Sequence, residues 1–134
     1  MKPIYLLDVN ALVGLLWSVH SLHGKANAWF SRESPQVLGC AFTELSFIRV
    51  SMADKTIASS FVDAEEAIGR FVEELGDRYH FLENLPPARI LKGSGIRNHK
   101  EVSDRYLCEL ASTHDGLLAT LDIGIKHPKA LLIA

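Results

Sequence analysis

Short apolar runs alternate along this chain with longer stretches whose apolar residues recur every three or four positions. Pro3-Ile4-Tyr5-Leu6-Leu7 is apolar throughout and stops at Asp8, so residues 3–8 predict a strand buried on both faces. From Asn10 the spacing changes, and a helix over about 10–19 is expected with Asn10 as its cap. A second helix is expected from Ser21 to Phe30, where Leu22, Ala26, Trp29 and Phe30 fall at helical spacing before Ser34-Pro35 breaks it. Val37–Cys40 predicts a short strand. Thr43 then caps a helix over about 44–53, with Leu45, Ile48 and Met52 on one face and Glu44 in its first turn. After a polar connector from Lys55, Ser60 to Leu75 predicts an amphipathic helix with Phe61, Ala64, Ile68, Phe71, Val72 and Leu75 inward, ended by Gly76.

Tyr79–Leu82 reads as a strand, and Pro86-Pro87 opens a short helix to Leu91. Lys92 to Lys100 is a loop with two glycines, three cations and a histidine. A helix follows over about 103–114, capped by Ser103, with Tyr106, Leu107, Leu110 and Ala111 inward. Gly116–Leu121 is a strand ending at Asp122, and Leu131–Ile133 is a short last strand. Strands alternating with helices predict an α/β fold, a doubly wound and mainly parallel sheet of four to five short strands flanked by helices on both faces. No linker or repeat divides residues 1–134, so one domain is expected.

Composition narrows the function classes. Apolar residues make up 48% and charged residues 22%, which fits a globular core and not disorder. The net charge of −2 carries no global signal for nucleic acid, leaving only a local basic patch or a bridging cation to hold phosphates. Cys40 and Cys108 stand apart from any CxxC pair and read as buried core thiols. Asp8 and Asn10 interrupt the first apolar run too early for a secretory leader, and no run reaches a membrane-spanning length, so a soluble, cytoplasmic protein with no membrane partner is expected.

Four acids occupy comparable places. Asp8 and Asp122 each end an apolar strand, and Glu44 and Asp104 each open a helix. If the first strand lies beside the fourth, all four meet at the carboxyl edge of the sheet, where the winding reverses and ligands bind. Taken singly, a strand-ending aspartate is a turn residue and an acid in a first helical turn favours the helix dipole. Gathered in one cleft, carboxylates repel and call for a cation or shared protons. Oxygen-only donors suit Mg²⁺ or Mn²⁺, and such ions serve phosphodiester hydrolysis.

Asp8-Val9-Asn10 after a strand, Thr43-Glu44-Leu45, Val102-Ser103-Asp104-Arg105-Tyr106-Leu107 and Thr120-Leu121-Asp122 together resemble the motif set of PIN-domain ribonucleases, most of all the VapC-type toxins of bacterial toxin–antitoxin modules. The resemblance implies a PIN-like fold and a metal-dependent endoribonuclease using Mg²⁺ or Mn²⁺, usually a homodimer, acting on an RNA substrate and held inactive by a cognate antitoxin protein. It assigns the catalytic and metal-binding acids to Asp8, Glu44, Asp104 and Asp122, with Asp8 and Asp104 the most direct ligands. Thr120 matches a hydroxyl residue that supports the site, and Asn10 either caps its helix or steadies Asp8.

Arg97, His99 and Lys100 in the basic loop are candidate RNA-backbone contacts, against a solvated loop. His20 and His23 have no acid or cysteine near them in sequence and read as residues complementing a helix end. Trp17, Trp29 and Phe30 read as core or partner surface rather than base-stacking platforms, and Phe47, Ile48 and Val50 as possible contacts with a second copy or an inhibitor. A dehalogenase-like phosphatase needs an acid where Asn10 stands. A receiver-type signalling domain needs an acceptor aspartate ending its third strand, where the chain has Leu82-Glu83-Asn84. A catalytically inactive PIN scaffold that only binds a partner is the other alternative.

Overall fold

A computed structural model describes residues 3–134. Five strands form one parallel sheet: β1 (Ile4–Leu7), β2 (Gln36–Cys40), β3 (Tyr79–Leu82), β4 (Leu117–Thr120) and β5 (Ala130–Leu132), in the order β3-β2-β1-β4-β5. Between them lie α1 (Val9–Leu16), α2 (His23–Glu33), α3 (Ala41–Ala53), α4 (Phe61–Leu75) and α5 (Lys100–Thr113). The chain winds from β1 outward to β3, then crosses back to place β4 on the other side of β1. The doubly wound parallel fold expected from the alternation is therefore present, and the winding reverses between β1 and β4.

Alternation within β1 divides the core. Tyr5 and Leu7 face one side with Ala11, Leu12, Val13, Trp29, Val37, Phe47, Ile68 and Phe71, under helices α1 to α4. Leu6 faces the other with Leu38, Leu107, Leu110, Ala111 and Leu118, under α5. Helices thus cover both faces, unevenly. Cys40 and Cys108 are buried free thiols in the α5 layer, as their apolar neighbours predict. Tyr5 meets Trp29 edge-on at 5.2 Å between ring centroids, so Trp29 is core and not a stacking platform. Among the described residues no helix is long and apolar enough to cross a membrane.

Several boundaries differ from the sequence expectation: α1 ends at Leu16 and not near 19, α2 runs His23–Glu33 and not Ser21–Phe30, β5 is Ala130–Leu132 and not Leu131–Ile133, and three helix starts differ as follows. Helix α1 starts at Val9, and its cap is Asp8, whose Oδ1 accepts the Val9 N–H at 2.8 Å. Asn10 is therefore not the cap. Helix α3 starts at Ala41, because Thr43 lies inside the first turn, where its hydroxyl meets both the N–H (3.3 Å) and the carbonyl (3.1 Å) of Cys40. Helix α5 starts at Lys100, three residues before Ser103, which places Asp104 in the second turn and leaves it outside the capping position.

The inward face of α3 is also different. Leu45 and Met52 are exposed at 66% and 46%, and Thr43, Phe47 and Ser51 are buried instead. The two polar members of this stripe are satisfied locally and across the core. Ser51 donates to the Phe47 carbonyl and accepts from the Trp17 indole N–H, both at 2.7 Å, while Trp17 stacks on Phe47 at 6.1 Å. Phe47 is therefore core, not a contact surface. On α4, Phe61 is 52% exposed and the buried stripe runs Ala64, Ile68, Phe71 and Leu75, ending at Gly76 with φ +54°.

Candidate active site

The site grows from the switch point of the sheet. The Asp8 N–H donates to the Ala119 carbonyl at 2.9 Å, so the chain leaving β1 is still pinned to β4 when it reaches the acid. Asp8 is 6% exposed, and both carboxylate oxygens are engaged. Oδ1 caps α1, and Oδ2 accepts the Thr120 hydroxyl at 2.8 Å. Thr120 in turn accepts the Asp122 N–H at 3.0 Å, and Asp122 closes its own turn by accepting from the Gly124 N–H at 2.8 Å. Asn10 Oδ1 accepts from the Leu121 N–H at 3.1 Å and lies 3.4 Å from the Thr120 hydroxyl. One lattice of bonds thus joins the start of α1 to the end of β4, with Thr120 at its centre. Each carboxylate oxygen of Asp8 keeps a lone pair beyond these bonds.

Asp104 faces this lattice from α5. Burial, and then the charges of Asp8 and Asp122, push its carboxyl up to about 6. Burial also raises Asp8, opposed by the bonds from Thr120 and Val9 and reinforced by Asp122. Three acids from separate elements are therefore close enough to disturb one another. Among the described residues none of them is ion-paired. The nearby Cys108 thiol is pushed up to about 12, by burial first and then by Asp104 and Asp8, so it stays neutral and is no nucleophile.

Glu44 is placed differently. Its Oε2 accepts the Tyr79 hydroxyl at 2.5 Å, and it lines a groove with Ile48, Ile68, Val72 and Phe81 between α3, α4 and β3. Burial and the adjacent Glu44 raise the Tyr79 phenol well above its ordinary range. The contact depends on Gly39, since a Cβ there would lie 1.8 Å from the Tyr79 hydroxyl oxygen. Gly39→Ala is expected to displace the ring, cost about 1–3 kcal/mol by overpacking, and release Glu44. Urea unfolding measures the cost, and an unchanged midpoint would show that the ring yields freely.

Among the described residues no three His, Cys, Asp or Glu side chains stand ready to enclose a metal ion. The donor chemistry nonetheless fits Mg²⁺ or Mn²⁺. Mg²⁺ is commonly held by one or two carboxylates with water completing its shell, and a cation relieves the repulsion among Asp8, Asp104 and Asp122.

That repulsion sets a pH dependence. Between the usual carboxylate range and about 6, folded protein keeps a proton on Asp104 that the unfolded chain has released. Stability without metal is then greatest below this window and falls as pH rises through it. Scanning calorimetry in EDTA from pH 4 to 7.5 is expected to show the melting temperature of Asp104→Asn gaining on wild type as pH rises. A difference independent of pH contradicts the assignment.

The remaining candidates are dispersed. Arg97 joins Arg105, Lys126 and His127 around a cleft walled by Asp104, while His99 and Lys100 are exposed and not part of its lining. His20 Nδ1 accepts from the Leu22 N–H at 3.0 Å, and His23 Nδ1 lies 2.9 Å from the Gly14 carbonyl oxygen, so both serve the α1–α2 connection. Strand β3 lies at the sheet edge and ends at Leu82, where a receiver domain needs a central strand ending in aspartate. Tyr79, Arg105, Lys126 and His127 were not singled out from sequence. Tyr79 meets Glu44 from 35 residues away, and Lys126 follows Asp122 in a loop with no motif of its own.

No protein-family model matches the chain. Curated relatives do. Ribonuclease VapC29 of Mycobacterium tuberculosis (strain CDC 1551 / Oshkosh) is 30% identical over 122 residues, covering 91% of this chain and 88% of that protein. Ribonuclease VapC44 of the same strain is 31% identical over 125 residues, covering 90% and 87%. Ribonuclease VapC38 of Mycobacterium tuberculosis (strain ATCC 25618 / H37Rv) is 32% identical over 133 residues, covering 90% and 86%. With this likeness spread over nine-tenths of its length, and with a doubly wound sheet that gathers Asp8, Asp104 and Asp122 at its switch point, the chain belongs to the VapC ribonuclease family.

Proposed function

We propose that this protein is a metal-dependent endoribonuclease, the toxin of a toxin–antitoxin pair, acting in the cytoplasm as one domain spanning residues 1–134. The observation that carries the reading is the convergence of Asp8, Asp104 and Asp122 from β1, α5 and β4 with no cation paired to any of them among the described residues. The names of the relatives support the ribonuclease activity.

Asp8 and Asp104 would hold a Mg²⁺ or Mn²⁺ ion most directly, Asp122 would complete the acidic site through water or a second ion, and Glu44 would join it only on releasing the Tyr79 hydroxyl. When bound, such an ion supplies positive charge to the phosphodiester and an activated water. The chain's own residues supply position. Asp8 is held by Val9 and Thr120, Asp122 by Thr120 and Gly124, and Asn10 fixes the turn at Leu121. Hydrolysis adds water across the bond: an oxygen–phosphorus bond forms, the phosphorus–oxygen bond to the leaving nucleotide breaks, and the leaving oxygen takes a proton. No side-chain nucleophile is needed. Arg97, His99 and Lys100 are proposed to meet the RNA backbone. Phe42, Leu45 and Met52 leave apolar surface on α3 uncovered, which supports a partner surface for a second copy of the chain or for the antitoxin.

Purified protein incubated with structured RNA is expected to cleave it with Mn²⁺ and not with EDTA. Cleavage that persists in EDTA overturns the metal assignment, and no cleavage under any condition favours an inactive scaffold.

A further inference from the structure

We propose that the cleft walled by Asp104 binds an RNA phosphodiester adjacent to the one cleaved, gripped between Arg97 and Lys126. This rests on the nuclease reading above and adds the path of the strand away from the acids. The cleft lies between α5 and the loop that follows β4, has a volume of about 160 Å³, and includes Asp104 itself in its wall. It therefore shares Asp104 with the acidic site, and Gly124, which bonds Asp122, also lines it.

Its charge is opposite to that of the chain. Arg97, Arg105 and Lys126 line it with Glu101 and Asp104, three cations to two acids in a protein of net charge −2. The cations are not equivalent. Arg105 donates to the Ser94 carbonyl and clamps the 92–99 loop to α5, so its role is to build the wall. His127 Nδ1 accepts the Lys129 N–H at 3.0 Å, and its Nε2 lies 3.9 Å from Glu109, so this ring is already committed. Two cations remain for a ligand. Arg97 pairs with Glu101 at 3.4 Å with its own side chain 85% exposed, a contact of the weak kind that an arriving phosphate displaces. Lys126 is exposed and has no ion pair among the described residues.

The ligand class follows from the lining. It contains no Phe, Tyr or Trp, so nothing offers a base the stacking platform that single-strand readers use. It offers positive charge from two exposed side chains carried by separate loops, which suits a phosphate. Arg97 was expected to contact RNA from sequence. Lys126 is new, because only the fold brings the loop after Asp122 opposite the loop before α5.

Arg97→Gln and Lys126→Gln, singly and together, test the assignment, with Lys25→Gln and Lys55→Gln as exposed controls outside the cleft. Binding of a short single-stranded RNA to the metal-free protein in EDTA is followed by fluorescence anisotropy across a salt series. The double variant is expected to bind on the order of 10-fold more weakly. Its slope of log affinity against log salt should shallow by about 0.7 per cation removed, and the controls should match wild type. With Mn²⁺, KM should rise while kcat holds, the pattern of lost uniform binding. If wild type cleaves RNA but the double variant keeps its affinity and slope, the cleft assignment is overturned and the nuclease stands. If the slope shallows as predicted but wild type never cleaves, the cleft stands as an RNA-phosphate site only, and both the nuclease reading and the placement beside a cleaved bond fail.

Discussion

Asp8→Asn is expected to lower metal-dependent RNA cleavage by more than about 100-fold while leaving the melting temperature at or above that of wild type. The scale follows from outer-shell groups of metal sites, whose loss costs roughly 10–100-fold, so removing a direct ligand should cost more. The stability half follows from what holds Asp8. Burial and Asp122 both disfavour its charge. An amide at this position keeps an oxygen to cap the Val9 N–H, and the Thr120 hydroxyl can turn to accept from the amide nitrogen while still receiving the Asp122 N–H. The variant thus sheds a repulsive charge without breaking the lattice. Cleavage assays beside calorimetry in EDTA check both halves. An inactive variant that also melts well below wild type would mean that Asp8 acts through folding and not through chemistry.

The largest expected loss of stability lies elsewhere, at Phe47. This ring is fully buried, stacks on Trp17, and carries the backbone carbonyl that receives Ser51. Phe47→Ala is expected to cost about 3–5 kcal/mol, the usual range for emptying an aromatic site. Against a total stability of roughly 5–15 kcal/mol, that is about a third to a half of the margin at the centre of the range. Phe47→Leu, which fills most of the space, should cost much less. Urea denaturation at fixed pH measures both. Equal losses for Ala and Leu would show that ring stacking, and not cavity volume, sets the energy.

Much of the fold was legible in the chain because its strands are short, apolar and stopped by acids. The apolar runs at residues 3–8 and 116–121 read as strands stopped by Asp8 and Asp122, and the strands found are Ile4–Leu7 and Leu117–Thr120. The α4 helix was equally clear, since Ser60 and Gly76 punctuate it and its buried stripe keeps a strict period. Errors arose where two residues could do one job. Asp8 and Asn10 are both competent caps, and the fold gave the cap to Asp8, while Asn10 Oδ1 meets the Leu121 N–H just past β4. On α3 the inward stripe is Thr43, Phe47 and Ser51, and two polar residues do not announce a core face. They are tolerated because Cys40, Trp17 and the Phe47 carbonyl satisfy them.

The candidate site was legible in the same uneven way. Asp8, Asp104 and Asp122 are brought together by the crossing of the chain between β3 and β4, a meeting the sequence reading made conditional on the first strand lying beside the fourth. Glu44 was placed with them from its position at a helix start, yet its carboxylate is turned to Tyr79. That partner is on the far edge strand and depends on the missing side chain of Gly39. The basic cleft was half visible, through Arg97, because a cation in a loop carries no periodicity by which to find it.

The most direct test of the metal-dependent nuclease is cleavage of structured RNA in Mn²⁺ by a folded Asp8→Asn, Asp104→Asn double variant, beside wild type. Wild type should cleave and the double variant should not, with native circular dichroism and a cooperative melt in both. Full activity in the folded double variant would contradict the placement of the chemistry at these acids.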